Sequence, residues 1–369
     1  MSMHIEKRKS ASTTVAFLVP AVSFIVSLAL TGLLLLASGA DPFATFAAMF
    51  SGAFGSWRAF TETLVKATPL MLTGLGISLA FKLRFWNIGA EGQLVLAGVA
   101  ASAVALFAGP ALPPALLLPA ALAAGCVAGA AWAGIPALLK TSLKVDETLV
   151  TLMLNYVAIL IAEFLYYGPW RDPKGYGFPG SAPFPEAAWL PRISGRTHIG
   201  LWFALALALV LWVVLNRTRW GFELKIIGHS QRAARYLGIA VERNIVLAVL
   251  LSGALCGLAG ACEVTGISHR LQQGLALGYG YTAIIVAWMS QLNPIAVAPV
   301  SVLMAAVLVG GDQVQMKMGL PSAMSLVMQG MILFPMLAGS LFTEYRLRGS
   351  RPARRLPGPE TPAGVEGVP

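Results

Sequence analysis

The chain has 369 residues, 57% of them hydrophobic and only 11% charged, with a mean hydropathy of +0.74, whereas a soluble domain carries about a quarter charged residues. That balance excludes an ordinary soluble enzyme and describes a chain that crosses a membrane many times. The formal net charge of +10 does not indicate a nucleic-acid binder, because the basic residues lie in short connections and at both ends instead of forming one aromatic-interleaved stripe.

From the N-terminus, the apolar run 14–37 follows Lys7, Arg8 and Lys9. It is too long for a signal h-region of about 7–15 residues and is read as a retained first span. On the scale of about 20 apolar residues per crossing, ten spans are predicted: 14–38, 63–81, 92–109, 113–138, 148–168, 199–216, 243–265, 279–292, 294–311 and 321–342. The eighth is short for a full crossing. With both termini cytoplasmic, 18 of the 26 basic residues fall on the inner side, as the positive-inside rule requires. The expected class is therefore an all-α multi-pass membrane protein with about ten transmembrane helices. Residues 1–13 form a cytoplasmic N-terminus, 14–342 the membrane domain, and 343–369 a Pro- and Gly-rich cytoplasmic tail predicted to be disordered.

Two outer loops are long. In 39–62, Phe43, Phe46, Phe50 and Phe54 recur at helical spacing and predict an interfacial amphipathic helix. The 169–198 stretch, with Trp170 and Trp189 among prolines and glycines, predicts an ordered outer cap. Cys126, Cys256 and Cys262 lie inside apolar runs without CxxC spacing, so neither a disulfide framework nor a metal site is expected.

The spans divide into two sets of five around the inner loop 216–243. Each set has a polar interruption after its second span, "NIGAEGQ" at 87–93 and "RLQQGLALGYG" at 270–280. Paired interruptions are the trace of an internally repeated transporter with its pathway between the halves. Asn87, Gly89, Glu91, Gly92 and Gln93 form the first break. Their side chains either satisfy backbone groups freed at the break or touch a polar solute, and the first role is favoured because orphaned backbone groups in lipid cost several kcal/mol each. Glu163 and Glu263, toward the outward ends of their spans, are read as interfacial, and His269 with Arg270 as an outer-face pair. No chain of titratable groups crosses the membrane, which counts against proton coupling. Phe85 and Trp86 are candidates either to stack on a solute or to anchor at the interface. Gly253, Gly257 and Ala261 have the small-xxx-small spacing of close helix packing.

In the inner loop, Ser230 is a good N-cap and Gly238 a good C-terminal stop for a helix of about 10 Å. Its Ala233, Ala234, Leu237 and Ile239 give a small apolar side and Arg232 and Arg235 a polar one, suited to a protein groove more than to lipid. There is no Gly-Lys dipeptide, hence no GxxxxGK[ST] phosphate loop.

"FWNIGAEGQLVLAG", "IGHSQRAARYLGI", "SGALCGLAGA" and "NPIAVAPVSVLMAAVLVGG", in this order and spacing over about residues 14–342, resemble permease subunits of bacterial ABC importers of the branched-chain amino acid, ribose and nucleoside class. The "NIGAEGQ" form is most similar to the nucleoside and simple-sugar arm. The resemblance implies a multi-pass protein of the bacterial inner membrane, paired with a second permease, a cytoplasmic ABC ATPase and an external substrate-binding lipoprotein. ATP and Mg are then used by the ATPase, with no cofactor on this chain and no nucleic-acid partner. Gly228, Ala233, Ala234 and Gly238 match the family's coupling loop, while Arg232 stands where many members have Glu. The cargo expected is a nucleoside, foremost a purine one, with a simple sugar or branched-chain amino acid as alternatives. An ion-driven secondary transporter is the competing class, and a membrane enzyme lacks any nucleophile, base or metal constellation.

Overall fold

The computed structural model describes residues 3–7, 13–109, 111–275, 277–319 and 345–349, together with helical residues 327, 328, 330, 331, 334, 335, 338 and 339. In chain order these form β1 (Met3–Lys7), α1 (Thr13–Ala37), α2 (Pro42–Phe54), α3 (Trp57–Lys82), α4 (Ala90–Ala103), α5 (Pro114–Leu138), α6 (Glu147–Tyr167), β2 (Arg192–Ser194), β3 (Thr197–His198), α7 (Gly200–Arg217), α8 (Arg219–His229), α9 (Gln231–Tyr236), α10 (Val241–Glu263), α11 (Tyr279–Met289), α12 (Pro294–Met318) and β4 (Tyr345–Gly349). Short π-helical turns extend α4, α5 and α10 through Ala108, Leu143 and Ser268. Among the described residues seven helices are long and apolar enough to span a membrane, or eight if α1 and α2, bent by 120°, count as one.

The difference from ten predicted spans has two sources. The predicted span 279–292 is an 11-residue helix, α11, which at 1.5 Å per residue covers about 16 Å, half of a bilayer core. The predicted span 321–342 lies largely outside the described residues. Residues 345–349, predicted within a disordered tail, pair antiparallel with 3–7 as β4 and β1; the remainder of that tail lies outside the described residues.

At the centre, α3 and α10 pack on each other, and residues 67–81 of α3 are buried without exception. α10 holds α4 and α5 of the first half, and α3 in turn holds α11 and α12 of the second. Each half thus donates its central helix to the other half's pair. Backbones come together where α10 crosses α5: a Cβ on Gly253 would lie 2.4 Å from the Gly129 carbonyl oxygen and one on Gly257 2.4 Å from that of Gly125, while a Cβ on Gly125 would meet the Ala261 methyl at 2.6 Å. Such contact is how helices associate where lipid is as apolar as the side chains. The facing stripe Gly125, Gly129, Ala133 has the same spacing in "GCVAGAAWA" and was equally visible in the sequence.

Helix α2 begins at Asp41, whose carboxylate accepts from Phe43 N at 2.9 Å, with Pro42 in the first turn. It lays Thr45, Ala48, Met49, Gly52 and Ala53 inward against α12 and turns Phe43 and Phe50 outward. Phe50, Phe54, Phe60 and Trp57 form a chain of tilted rings 5.5–6.3 Å apart, the composition of an interfacial belt.

Candidate permeation core and docking surface

α3 stops without a glycine. Arg84 takes a left-handed φ of 57°, Arg84 N donates to Phe81 O at 2.9 Å and Phe85 N to Ala80 O at 3.2 Å, the paired bonds of a Schellman ending. Phe85 is buried by this turn and Trp86 is left 42% exposed, so of the two candidate stacking rings only Trp86 is available. It sits 5.8 Å from Trp288 and 5.2 Å from Phe81.

The next residues fold into a closed polar network. Gly89 N and Gln93 Nε2 both donate to Asn87 Oδ1, at 3.1 and 3.0 Å, and Asn87 Nδ2 reaches Gln93 Oε1 at 3.2 Å and Ser252 Oγ of α10 at 3.3 Å. From α6, Asn155 accepts from Gly92 N at 2.8 Å and donates to Ile88 O at 2.9 Å and Tyr281 Oη at 3.2 Å, while Thr151 Oγ1 accepts from Ile88 N. Asn87, Glu91, Gln93, Thr151, Asn155 and Ser252 are all buried, and buried polar groups are tolerated when each is paired.

Glu91 has its partners in the other half. Its two carboxylate oxygens accept from Gly278 N at 2.8 Å and Gly280 N at 2.6 Å, the first backbone donors of α11. A Cβ on Gly280 would lie 2.3 Å from Glu91 N, so α4 and α11 begin backbone to backbone. The carboxylate thus stands in the first turn of α4 and accepts from the first N–H groups of α11, placing its negative charge beside the positive ends of both helices. Thr151, Asn155, Ser252 and Tyr281, which the sequence reading does not single out, complete the network with Gly278 and Gly280 of the second interruption; Asn155, the one amide in the apolar run "TLMLNYVAIL", is the visible signal for the α6 contacts.

The second interruption is built differently. After Glu263 the backbone passes through the π-helical turn Val264–Ser268 and then His269, left-handed at φ 51°. The 169–198 cap holds the segment that follows: Leu190 N donates to Thr265 O, Phe184 N to His269 O, Ser181 N to Leu271 O, and Leu271 N to Ser181 Oγ, all at 2.7–3.0 Å. His269 is stacked on Trp189 at 4.2 Å with Arg192 3.1 Å from its Nε2, so its partners are cap residues and not Arg270. Between cap and helix opens a pocket of about 300 Å³, bordered by Arg196, Glu263, Arg270 and Gln272. Glu263, read from sequence as interfacial, is 9% exposed and faces this pocket. Among the described residues the three-or-more groupings of His, Cys, Asp and Glu that could hold a metal are absent.

At the far end of α3 lies the surface formed by α8 and α9. Ser230 Oγ accepts from Ala233 N at 3.2 Å. Gly238, φ 76°, ends α9 with Gly238 N to Arg235 O and Ile239 N to Ala234 O, both 3.0 Å, a second Schellman ending. Ala234 is buried, whereas Arg232, Ala233, Tyr236 and Leu237 are exposed and Arg235 pairs with Glu242 at 2.7 Å. The preceding helix α8, expected only as loop, is capped by Thr218 and buries Gly221, Leu224 and Ile227. Gly228 belongs to α8: a Cβ there would come within 2.0 Å of the Lys82 carbonyl oxygen, which makes it a packing residue against the end of α3.

Residues 59–337 match the family described as branched-chain amino acid transport system / permease component. A glucose ABC transporter permease protein of Haloferax volcanii is 34% identical over 94% of both chains. A guanosine ABC transporter permease protein of Bacillus subtilis is 33% identical, over 86% of this chain and 92% of its own. A nucleoside ABC transporter permease protein of Lactococcus lactis is 28% identical, over 86% and 89%.

Proposed function

The chain belongs to the permease components of branched-chain amino acid transport systems, and on that premise we propose that it carries a nucleoside, foremost a purine nucleoside, through the bacterial inner membrane in an ATP-driven importer. It is a multi-pass membrane protein and a permease subunit, not itself an enzyme. In the proposed assembly it pairs with a second, different permease, receives cargo from an external binding lipoprotein, and rests on a cytoplasmic ATPase that uses the ATP and Mg. Ten helices in two pseudo-repeated halves with both termini cytoplasmic are the proposed topology. The exchange of central helices between halves supports the repeat, and the β1–β4 pair, which keeps the two ends together, supports an even number of crossings.

The observation that carries this reading is the meeting of α4 and α11 at Glu91. Two broken helices aimed at one point between the halves are the arrangement by which repeated transporters rock around a fixed centre. Asn87, Gly89, Glu91, Gly92 and Gln93 then hold that centre beside the path, and Trp86 with Trp288 offers the exposed aromatic face. The exposed part of α9, with Ala233, Tyr236 and Leu237, is the proposed seat of the ATPase, and α8, wedged by Gly228 against the end of α3, is the lever that transmits its movement. The glucose relative favours a second cargo, a simple sugar.

Reconstituting the permease with its ATPase and binding protein in liposomes tests this. ATP-dependent uptake of labelled guanosine, competed by other purine nucleosides more strongly than by glucose, is expected. Uptake that follows an ion gradient and survives without the ATPase would overturn the importer assignment. Stronger competition by glucose would make the sugar the cargo.

A further inference from the structure

Glu263 is a carboxylate at the end of a membrane helix, 9% exposed, that makes no hydrogen bond or ion pair among the described residues. Intramembrane carboxylates cost about 2.5–3.5 kcal/mol on insertion scales and are kept where they are used. The cations whose fields reach it are committed elsewhere: Lys66 pairs with Asp312, and Arg196 with Glu62 at 3.2 Å. Arg270 and Gln272, on the same pocket wall, have no side-chain partner among the described residues either. The pocket lining therefore combines two free carboxylate acceptors with free guanidinium and amide donors.

The frame around it is built. The π-helical turn re-aims the residues after Glu263, a device found at functional sites, and His269 holds a strained left-handed conformation. Four cap hydrogen bonds fix residues 265–271, the stretch from which Ile267, Ser268 and Arg270 line the pocket. At about 300 Å³ the cavity is at the small end of ligand sites.

We propose that this pocket recognises the vicinal hydroxyls of a sugar ring, Glu263 accepting two adjacent O–H groups while Arg270 and Gln272 donate to ring and hydroxyl oxygens. The chemistry decides among ligand classes. Of the two arginines in the lining, Arg196 is already paired with Glu62, so the charge left in the pocket is that of Arg270 against Glu263, and phosphate esters and carboxylates, which would lie against the carboxylate, are disfavoured. Among the described residues no aromatic side chain lines the pocket, so a base has nothing there to stack on. A neutral polyol matches acceptors and donors together, with Ile267 and Leu275 beside the ring carbons. The inference rests on the cargo being a nucleoside or sugar, since these share such a ring, and it makes the sugar the part of a nucleoside read at this pocket.

The test is ATP-driven uptake by the complete importer of a ribonucleoside and of its 2′,3′-dideoxy analogue, each at saturation of the binding protein, taken as a ratio of maximal rates per inserted importer. A site built on hydroxyl contacts should give a wild-type ratio on the order of 100, falling by at least ~10-fold in Glu263→Gln. A wild-type ratio near one, or a Glu263→Gln ratio equal to wild type, overturns the site while leaving the importer assignment intact. Should Glu263→Gln not insert, Gln272→Leu on the same wall decides by the same ratio. A wild-type complex that imports neither nucleoside nor sugar removes the cargo reading, and the site with it.

Discussion

The two interruptions invite comparison because each puts a carboxylate where a membrane helix breaks. At 87–93 the carboxylate is consumed: Glu91 accepts two backbone N–H groups of α11 and is surrounded by amides that satisfy one another. Just before the second interruption, at the end of α10, it is not, and Glu263 borders an open pocket whose lining also holds unpaired donors. The same residue type, at a helix start in one case and a helix end in the other, thus does opposite work, since a fully paired buried group fixes geometry and an unpaired one is available to a ligand. What separates them is tertiary. α11 starts against α4, whereas at the end of α10 the cap binds the backbone of 265–271 and leaves the Glu263 carboxylate to the pocket.

The largest expected effect comes from forcing the closed break apart. In Gly280→Ala the new methyl would collide with the backbone of Glu91, which cannot swing aside, and a loss of about 4 kcal/mol or more is expected, read as failure to accumulate in the membrane. Normal accumulation would show that α4 and α11 do not touch. Next, Asn155→Leu removes the bridge among Gly92, Ile88 and Tyr281 and leaves buried groups unpaired, costing about 2–3 kcal/mol in thermal unfolding of the purified permease.

The fold could be followed from sequence wherever the determinant was local. Apolar length placed 13–37, 147–167 and 200–217 within one or two residues, Ser230 and Gly238 delimited α9, and the glycines of 89–92 marked the first break. What was illegible depended on distant partners. Arg84 gives no hint that it will take the left-handed position glycine usually holds, because burial of Phe85 compensates. α8 reads as loop since its polar residues outnumber the three that it buries. Above all, nothing near Glu91 in sequence says that its oxygens meet Gly278 and Gly280, 187 and 189 residues away. The small stripe of α10 and its mate on α5, Gly125, Gly129 and Ala133, have the same spacing, and only their contact in the fold pairs them.

A third prediction concerns the cap that frames the open break. His198, between the cap and α7, is buried with Nδ1 accepting from Gly200 N and Nε2 without a partner among the described residues. Burial, with His269 adding to it, pushes its pKa from 6.5 down to about 4. The fold holds the neutral ring, so its contribution is complete above pH 6.5 and is lost as the pH falls toward 4, amounting to about 2 kcal/mol by pH 5. Thermal scans at pH 7 and 5 should show this, and His198→Phe should reduce the difference; an equal pH dependence in the variant would discount the residue. The smallest effect on stability is expected from Arg235→Ala, since its ion pair with Glu242 is exposed and such pairs contribute about 0–1 kcal/mol. Gly238→Trp should likewise leave membrane insertion intact while abolishing ATP-driven uptake, and unchanged uptake would remove α9 from the coupling path.

The contrast between the two breaks is tested most directly by the thermal midpoint of the purified permease carrying Glu91→Gln or Glu263→Gln. The account predicts a lowered Tm for Glu91→Gln, which weakens two charge-assisted bonds at the start of α11, and an unchanged or raised Tm for Glu263→Gln, which relieves a buried charge of its desolvation cost. A Tm lowered by Glu263→Gln and unaffected by Glu91→Gln would contradict it.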